Sequence, residues 1–96
     1  MELDEDVVNP KRIVILTVLF IFKEMTESDL AKATNIAWGS LSTHLARLEK
    51  KGYIERRKSI TSKGIRTIVR ITERGYKKYE EEVEKLKEIL EKIETS

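Results

Sequence analysis

Apolar positions recur with a helical period in four stretches of this chain and with a period of two in one region. The helical stretches predict helices at about residues 10–23, 27–34, 37–51 and 73–94. Residues 53–60 and 65–71 are two strand-like runs, and the second alternates, with Ile65, Thr67, Val69 and Ile71 on one face, which predicts two strands. The intervening residues 61–64 include Gly64, which can adopt a positive φ, so we expect a β-hairpin. The predicted fold is mainly α with a small β-hairpin (α+β).

Residues that start or stop helices stand at the expected boundaries. Asn9 followed by Pro10 forms an N-cap with proline at the first helical position. Thr26 precedes the second helix and resembles the first residue of a capping box. Gly52 follows the third helix, where a left-handed C-cap residue is common. Thr72 is placed to cap the last helix.

The first and last helices have more apolar surface than the core of one small domain would cover. The first is apolar almost all round, so we expect its far side to contact a partner subunit. In the last helix the apolar positions are separated by three and four residues, which is the a/d pattern of a coiled coil. We therefore predict a homodimer that uses this seam. The seam consists of Tyr76, Tyr79, Val83, Leu86, Leu90 and Ile93.

Composition narrows the class of protein. The chain has 96 residues, enough for one small domain, and no cysteine, which excludes disulfides and makes a zinc site improbable. The N-terminus is acidic, unlike a secretory signal, and the apolar run at residues 13–22 is shorter than the ~20 residues of a membrane span. We expect a cytoplasmic protein without a membrane partner. Its predicted segments are an acidic, flexible tail (1–9), a globular domain (10–72) and a dimerisation helix (73–96).

The distribution of charge is more informative than the net value of +2. Residues 37–75 hold ten lysines and arginines against three acids, whereas residues 1–10 hold four acids and no base. One positively charged region of this kind is typical of a polyanion-binding face. The chain has a single histidine, no phosphate-binding glycine-rich loop and no recognisable nucleophile set. We therefore predict neither an enzyme nor a cofactor or metal site.

Three segments together resemble the winged helix-turn-helix transcriptional regulators of the MarR and ArsR type: DLAKATNI, GSLSTHLARLEKKGYIE and KGIRTIVRITERG. The similarity spans about residues 10–80. It implies double-stranded DNA as a partner, with the third helix in the major groove and the hairpin, or wing, on the backbone or in the minor groove. The implied positions on the third helix are Ser40, Ser42, Thr43, His44 and Arg47. Those on the wing are Arg56, Lys58, Lys63 and Arg66.

Other interpretations stay open from the sequence. The protein could be an architectural DNA-binding protein without sequence preference. It could also be a protein-interaction winged helix, for which Trp38 with Ile68 is the only hint of an apolar patch. Trp38 is compatible with the core or with an exposed position at the DNA-side edge. The position of Tyr76 and Tyr79 at the head of the seam favours packing in the subunit interface over a pocket for an aromatic ligand. The sequence does not identify a small-molecule effector.

Overall fold

Four helices and three strands make up residues 2–95, the part of the chain that the computed structural model describes. In chain order these elements are α1 (Pro10–Phe22), β1 (Glu24–Thr26), α2 (Glu27–Thr34), α3 (Trp38–Lys50), β2 (Ile54–Thr61), β3 (Gly64–Ile71) and α4 (Glu73–Thr95). The predicted α+β fold is confirmed, and the helix and hairpin boundaries agree to within a residue. None of these helices is both long and apolar enough to cross a membrane.

The sheet contains one strand more than the predicted hairpin. Its order is β1-β3-β2, with antiparallel neighbours throughout. The sequence analysis assigned no strand to residues 24–26, but Met25 pairs with Val69 in the middle of the β1–β3 ladder. This ladder attaches β1, which lies between α1 and α2, to the base of the wing. The wing is therefore joined to the N-terminal helices as well as to α3 and α4, its neighbours along the chain.

The core is formed by one side of each of the first three helices and the base of the sheet. Its fully buried side chains on α3 are Leu41, Leu45 and Leu48, spaced four and three apart as a single apolar stripe requires. Leu30 of α2 and Val69 of β3 belong to the same cluster. This packing sets the orientation of α3 and directs its remaining side chains outward.

Helix α4 starts in close contact with the end of α3. The Thr72 hydroxyl accepts a bond from the Gly75 N–H (3.0 Å) and donates one to the Gly52 carbonyl (2.6 Å), so the predicted Thr72 cap is confirmed. Gly75 is buried, and a Cβ atom at this position would lie 2.1 Å from the carbonyl oxygen of Tyr53. Only glycine permits this approach, which explains the last residue of the motif RITERG.

The first half of α4 packs on α1 of the same chain. The ring of Phe20 stacks on Tyr76 at a centroid distance of 4.4 Å and lies 4.8 Å from Tyr79. The hydroxyls of Thr17 and Tyr79 are 2.6 Å apart. The two tyrosines at the head of the predicted dimer seam thus already have partners within the protomer. The more distal Leu90 is 57% exposed.

The acidic segment before α1 is not a free tail, and in this respect the sequence-based prediction is wrong. Val7 is fully buried in the core, and the backbone N–H of Asp4 donates to the carboxylate of Glu82, which is itself fully buried on α4. Burial raises the pKa of Glu82, but the ammonium of Lys85 and the Asp4 N–H outweigh it, so the pKa is lowered overall. The outermost residues of the predicted segments, Met1 and Ser96, lie outside the described residues.

Candidate nucleic-acid interface

The outer face of α3 is polar and accessible. Ser42, Thr43 and Arg47, three of the five positions that the resemblance implies on α3, are exposed. The Thr43 hydroxyl donates to the carbonyl of Gly39 one turn earlier (3.1 Å). Trp38, at the first turn of the helix, is 57% exposed, so it belongs to this edge of α3 and not to the core.

Two other predicted residues of α3 face α1 and are half-buried. The Lys11 ammonium donates to the Ser40 hydroxyl (3.2 Å), and the Arg12 guanidinium lies 3.0 Å from Nδ1 of His44. Arginine stays protonated and can only donate, so Nδ1 must accept and the imidazole proton sits on Nε2. Burial lowers the pKa of His44, and the nearby charges of Arg12, Lys11 and Arg47 lower it further. His44 therefore offers a neutral N–H donor rather than a positive charge.

Arg12 joins three parts of the molecule although its own side chain is buried. Its Nε donates to the carbonyl of Asp6 (2.7 Å) and its second terminal nitrogen to the carbonyl of Glu5 (3.0 Å). The sequence analysis missed this role. A signal was present, because Arg12 falls on the same helical face as the buried Ile15 and Leu19, where a charge needs several hydrogen bonds.

A negative charge lies against the basic end of α3. The Asp6 carboxylate is 2.6 Å from Nε of Arg47 and 3.1 Å from Nζ of Lys51. Hydrogen bonds from Arg47 and Lys51 hold the pKa of Asp6 below its usual value, so the carboxylate stays ionised. Asp6 and Lys51 were not among the predicted site residues, since their proximity depends on how the N-terminal segment folds back.

The wing carries exposed positive charges along its length. Lys58, Lys63 and Arg66 are all exposed. The tip is a turn closed by Gly64 with a φ of 97°, and the Thr61 hydroxyl donates to the Gly64 carbonyl (2.8 Å). Within the described residues, none of these three side chains forms an ion pair. Each can therefore contact a phosphate without breaking one.

Arg56 has a different environment from the other predicted wing residues. Its guanidinium contacts Glu49 of α3 (2.9 Å) and Glu27 of α2 (3.2 Å), and the bond to Glu49 is the main cause of its raised pKa. A phosphate contact by Arg56 would require both pairs to break. Its geometry instead fixes the wing to the two helices of the helix-turn-helix.

The exposed apolar side chains of the wing lie at its tip. Ile60 and Ile65 are direct cross-strand partners and are 86% and 65% exposed. Ile68, which the sequence analysis singled out, is half-buried in the middle of β3. Among residues 2–95, no three His, Cys, Asp or Glu side chains are arranged to hold a metal ion. The face as a whole presents hydrogen-bond donors, positive charge and one small apolar tip.

The sequence matches a known family and two curated proteins. Residues 12–90 match the family described as winged helix DNA-binding domain. The chain is 36% identical over 73 residues to YdgJ of Bacillus subtilis, an uncharacterised HTH-type transcriptional regulator, covering 76% of this chain and 44% of that protein. It is 31% identical over 83 residues to an uncharacterised protein of Methanocaldococcus jannaschii, covering 83% of this chain and 90% of that protein. The chain thus spans less than half of the Bacillus relative.

Solved structures share the architecture. A transcriptional regulator homologue from Pyrococcus horikoshii superposes with a TM-score of 0.88 at 26% identity, covering 94% of this chain and 89% of that one. NadR in complex with 4-hydroxyphenylacetate superposes with a TM-score of 0.75 at 30% identity, covering 95% of this chain and 64% of NadR. The resemblance to winged-helix regulators is confirmed, and the chain belongs to the winged helix DNA-binding domain family.

Proposed function

We propose that the protein binds double-stranded DNA as a homodimeric transcriptional regulator and would act in the cytoplasm beside that DNA. The observation that carries the proposal is the division of α3 into two sides. One side is fully occupied by the core, while the other exposes Ser42, Thr43 and Arg47 next to the cationic wing. A helix with one polar, accessible face is the element that fits the major groove.

The two parts of this face have different chemical tasks. Arg47 has the fork geometry that contacts guanine bidentately, so α3 supplies sequence preference. Lys63 and Arg66 at the wing contact phosphates, which orient the protein and provide affinity without reading sequence. Release of counterions from the neutralised phosphates then makes binding weaken as salt rises.

The test compares Arg66→Ala with Arg47→Ala on a preferred duplex and on random duplexes. Loss of Arg66 should weaken binding to all duplexes alike and reduce the salt slope by about 0.9. Loss of Arg47 should also reduce discrimination by about 1–3 kcal/mol. Lys87→Ala, which removes the same charge from the exposed side of α4, is the matched control. If both variants bind like the parent, the DNA-facing surface has been assigned to the wrong residues.

The homodimer is supported by apolar side chains that the protomer leaves uncovered. Ile21 on α1 is 64% exposed and Leu90 on α4 is 57% exposed, and Val14 and Phe22 extend the same side of α1. Burying this surface against a second copy would place two α3 helices about 34 Å apart, the repeat of one DNA turn. A pseudo-palindromic site is the expected target.

Sedimentation tests the subunit contact. Leu90→Asp should yield monomers with much weaker DNA binding, because the two half-sites are then no longer linked. Leu90 is a sharper choice than the half-buried Leu86, since its change leaves the protomer's own packing intact. Lys92→Asp places an acid at an exposed position of the same helix that lies away from the a/d seam, and should leave the dimer unchanged. A Leu90→Asp protein that sediments like the parent excludes this seam.

Two alternative functions make different predictions. An architectural protein would bind DNA with the same residues, but an excess of random-sequence competitor DNA would displace it completely from the preferred duplex. A protein-interaction module would use the exposed pair Ile60 and Ile65. In that case Ile60→Ser would abolish partner binding, and Arg47→Ala would have no effect on it. A gel-shift titration with random competitor separates the first alternative, and the two variants separate the second.

A further inference from the structure

The N-terminal segment places a carboxylate on the basic end of α3. Asp6 contacts both Arg47 and Lys51, and its side chain is only 17% exposed, whereas that of Arg47 is 58% exposed. Arg47 is the residue of α3 proposed above to contact a base. The unbound protein therefore holds its main recognition side chain in an ion pair with its own chain.

This placement does not depend on the Asp6 carboxylate. Arg12 holds the backbone carbonyls of Glu5 and Asp6, and the next residue, Val7, is fully buried. On the other side, the Asp4 N–H is bonded to the buried Glu82. The segment is thus anchored by its backbone and by one core side chain. A change confined to the Asp6 carboxylate would leave its path intact.

A carboxylate in this position resembles a DNA phosphate in charge and in its use of oxygen acceptors. Both accept hydrogen bonds from arginine and lysine at similar distances. We propose that Asp6 is a further residue of the DNA-binding face, whose carboxylate occupies the place of a DNA phosphate or base acceptor beside Arg47 and Lys51 and competes with the duplex for them. This inference rests on the proposed function of α3.

The competition lowers the affinity for every duplex, because each one meets the negative charge of Asp6 at the face. A preferred duplex, whose bases Arg47 contacts, must also displace Asp6 from Arg47. Solvent-exposed ion pairs are individually weak, so for the two together we expect about a three- to ten-fold reduction in affinity for all duplexes. The same charge lowers the effective number of phosphates that the face neutralises.

The experiment is a fluorescence titration of the full chain with a preferred and a random duplex over a range of salt concentrations. Asp6→Asn keeps the shape of the side chain and removes its charge. It should tighten binding to both duplexes about three- to ten-fold and make the salt slope steeper by up to about 0.9. Glu88→Gln, the same change of charge on the exposed side of α4, should alter neither quantity.

A double-mutant cycle shows whether Asp6 acts through its two partners. In the background of Arg47→Ala with Lys51→Ala, the Asp6→Asn change should have little further effect. Equal or weaker binding by Asp6→Asn in the parent background overturns the inference, because Asp6 would then be neutral or would position Arg47 for DNA. If the parent binds duplex and only this gain is missing, the proposed function stands. If neither protein binds any duplex, both fall.

Discussion

Gly75 offers a direct test of how α4 is attached to the domain. In a Gly75→Ala variant, the new methyl group would lie 2.1 Å from the oxygen and 2.8 Å from the carbon of the Tyr53 carbonyl. Ordinary contacts to carbon lie near 3.5 Å, so the two backbones must separate by about 1 Å. These are main-chain atoms, and no change of rotamer relieves the clash. The same carbonyl accepts the Thr72 N–H (3.0 Å), so that bond is disturbed as well.

The expected cost follows from three contributions. Overpacking costs about 1–3 kcal/mol, and the weakened hydrogen bond adds about 1 kcal/mol. The better helix propensity of alanine offsets up to about 1 kcal/mol. We expect the free energy of unfolding to fall by about 2 kcal/mol, which for a domain of this size lowers Tm by roughly 10–15 °C.

Gly39→Ala is the matched control, because this glycine also lies in the first turn of a helix and no atom comes within 4 Å of its added Cβ. Its Tm should stay the same or rise. Thermal unfolding followed by circular dichroism at one fixed protein concentration measures both variants, since a dimer's Tm depends on concentration. If Gly75→Ala unfolds at the temperature of the parent, the close approach of α4 to Tyr53 is not a feature of the folded protein.

Three further predictions concern other parts of the molecule. Arg12→Leu should lower the free energy of unfolding by about 2–4 kcal/mol, because it removes the charge-assisted hydrogen bonds that the carbonyls of Glu5 and Asp6 accept. It should also raise the pKa of His44 in an NMR titration; an unchanged pKa contradicts the contact. The lowered pKa of His44 means that the unfolded chain binds a proton first, so stability should fall as pH drops below 6.5. In His44→Asn, this fall in stability should be absent from pH 6.5 down to about pH 4.5. Below that pH, stability should fall because the pKa of Glu82 lies below its usual 4.5 in the folded protein. A pH profile like that of the parent would refute the prediction. The fluorescence of Trp38, the only tryptophan, should change when duplex is added, while Trp38→Ala should keep the parental Tm. If the emission does not change at saturating duplex, α3 is not part of the DNA interface.

The elements that the sequence predicts well are those whose pattern is local. The spacing of Leu41, Leu45 and Leu48 defines α3 and its outer face without reference to the rest of the chain. Strand β1 escaped prediction because three residues carry no periodicity, and their strand character comes from pairing with β3, more than forty residues later. The acidic segment was misjudged for a similar reason, since the partners of Asp4 and Asp6 lie on α4 and α3.

The predicted site divides in the same way. The exposure of Ser42, Thr43 and Arg47 follows from helical angle alone, and the structure agrees. The environments of His44 and Arg56 depend on Arg12 and on acids of other elements, which a list of positively charged residues does not contain. A resemblance to a family assigns positions to a surface, but it does not show which of them are already engaged within the chain.

The buried guanidinium on α1 has a consequence for communication within a dimer. Arg12 points inward from the helix whose outward side carries Ile21 and the proposed subunit contact. If two protomers changed their mutual angle and tilted α1, the Arg12 guanidinium would move with the helix. This guanidinium donates hydrogen bonds to His44 and to the carbonyls of Glu5 and Asp6, so all of these contacts would change together. Quaternary rearrangement would thereby reach α3, the helix proposed to bind DNA, and the acidic N-terminal segment that packs on it through a single side chain.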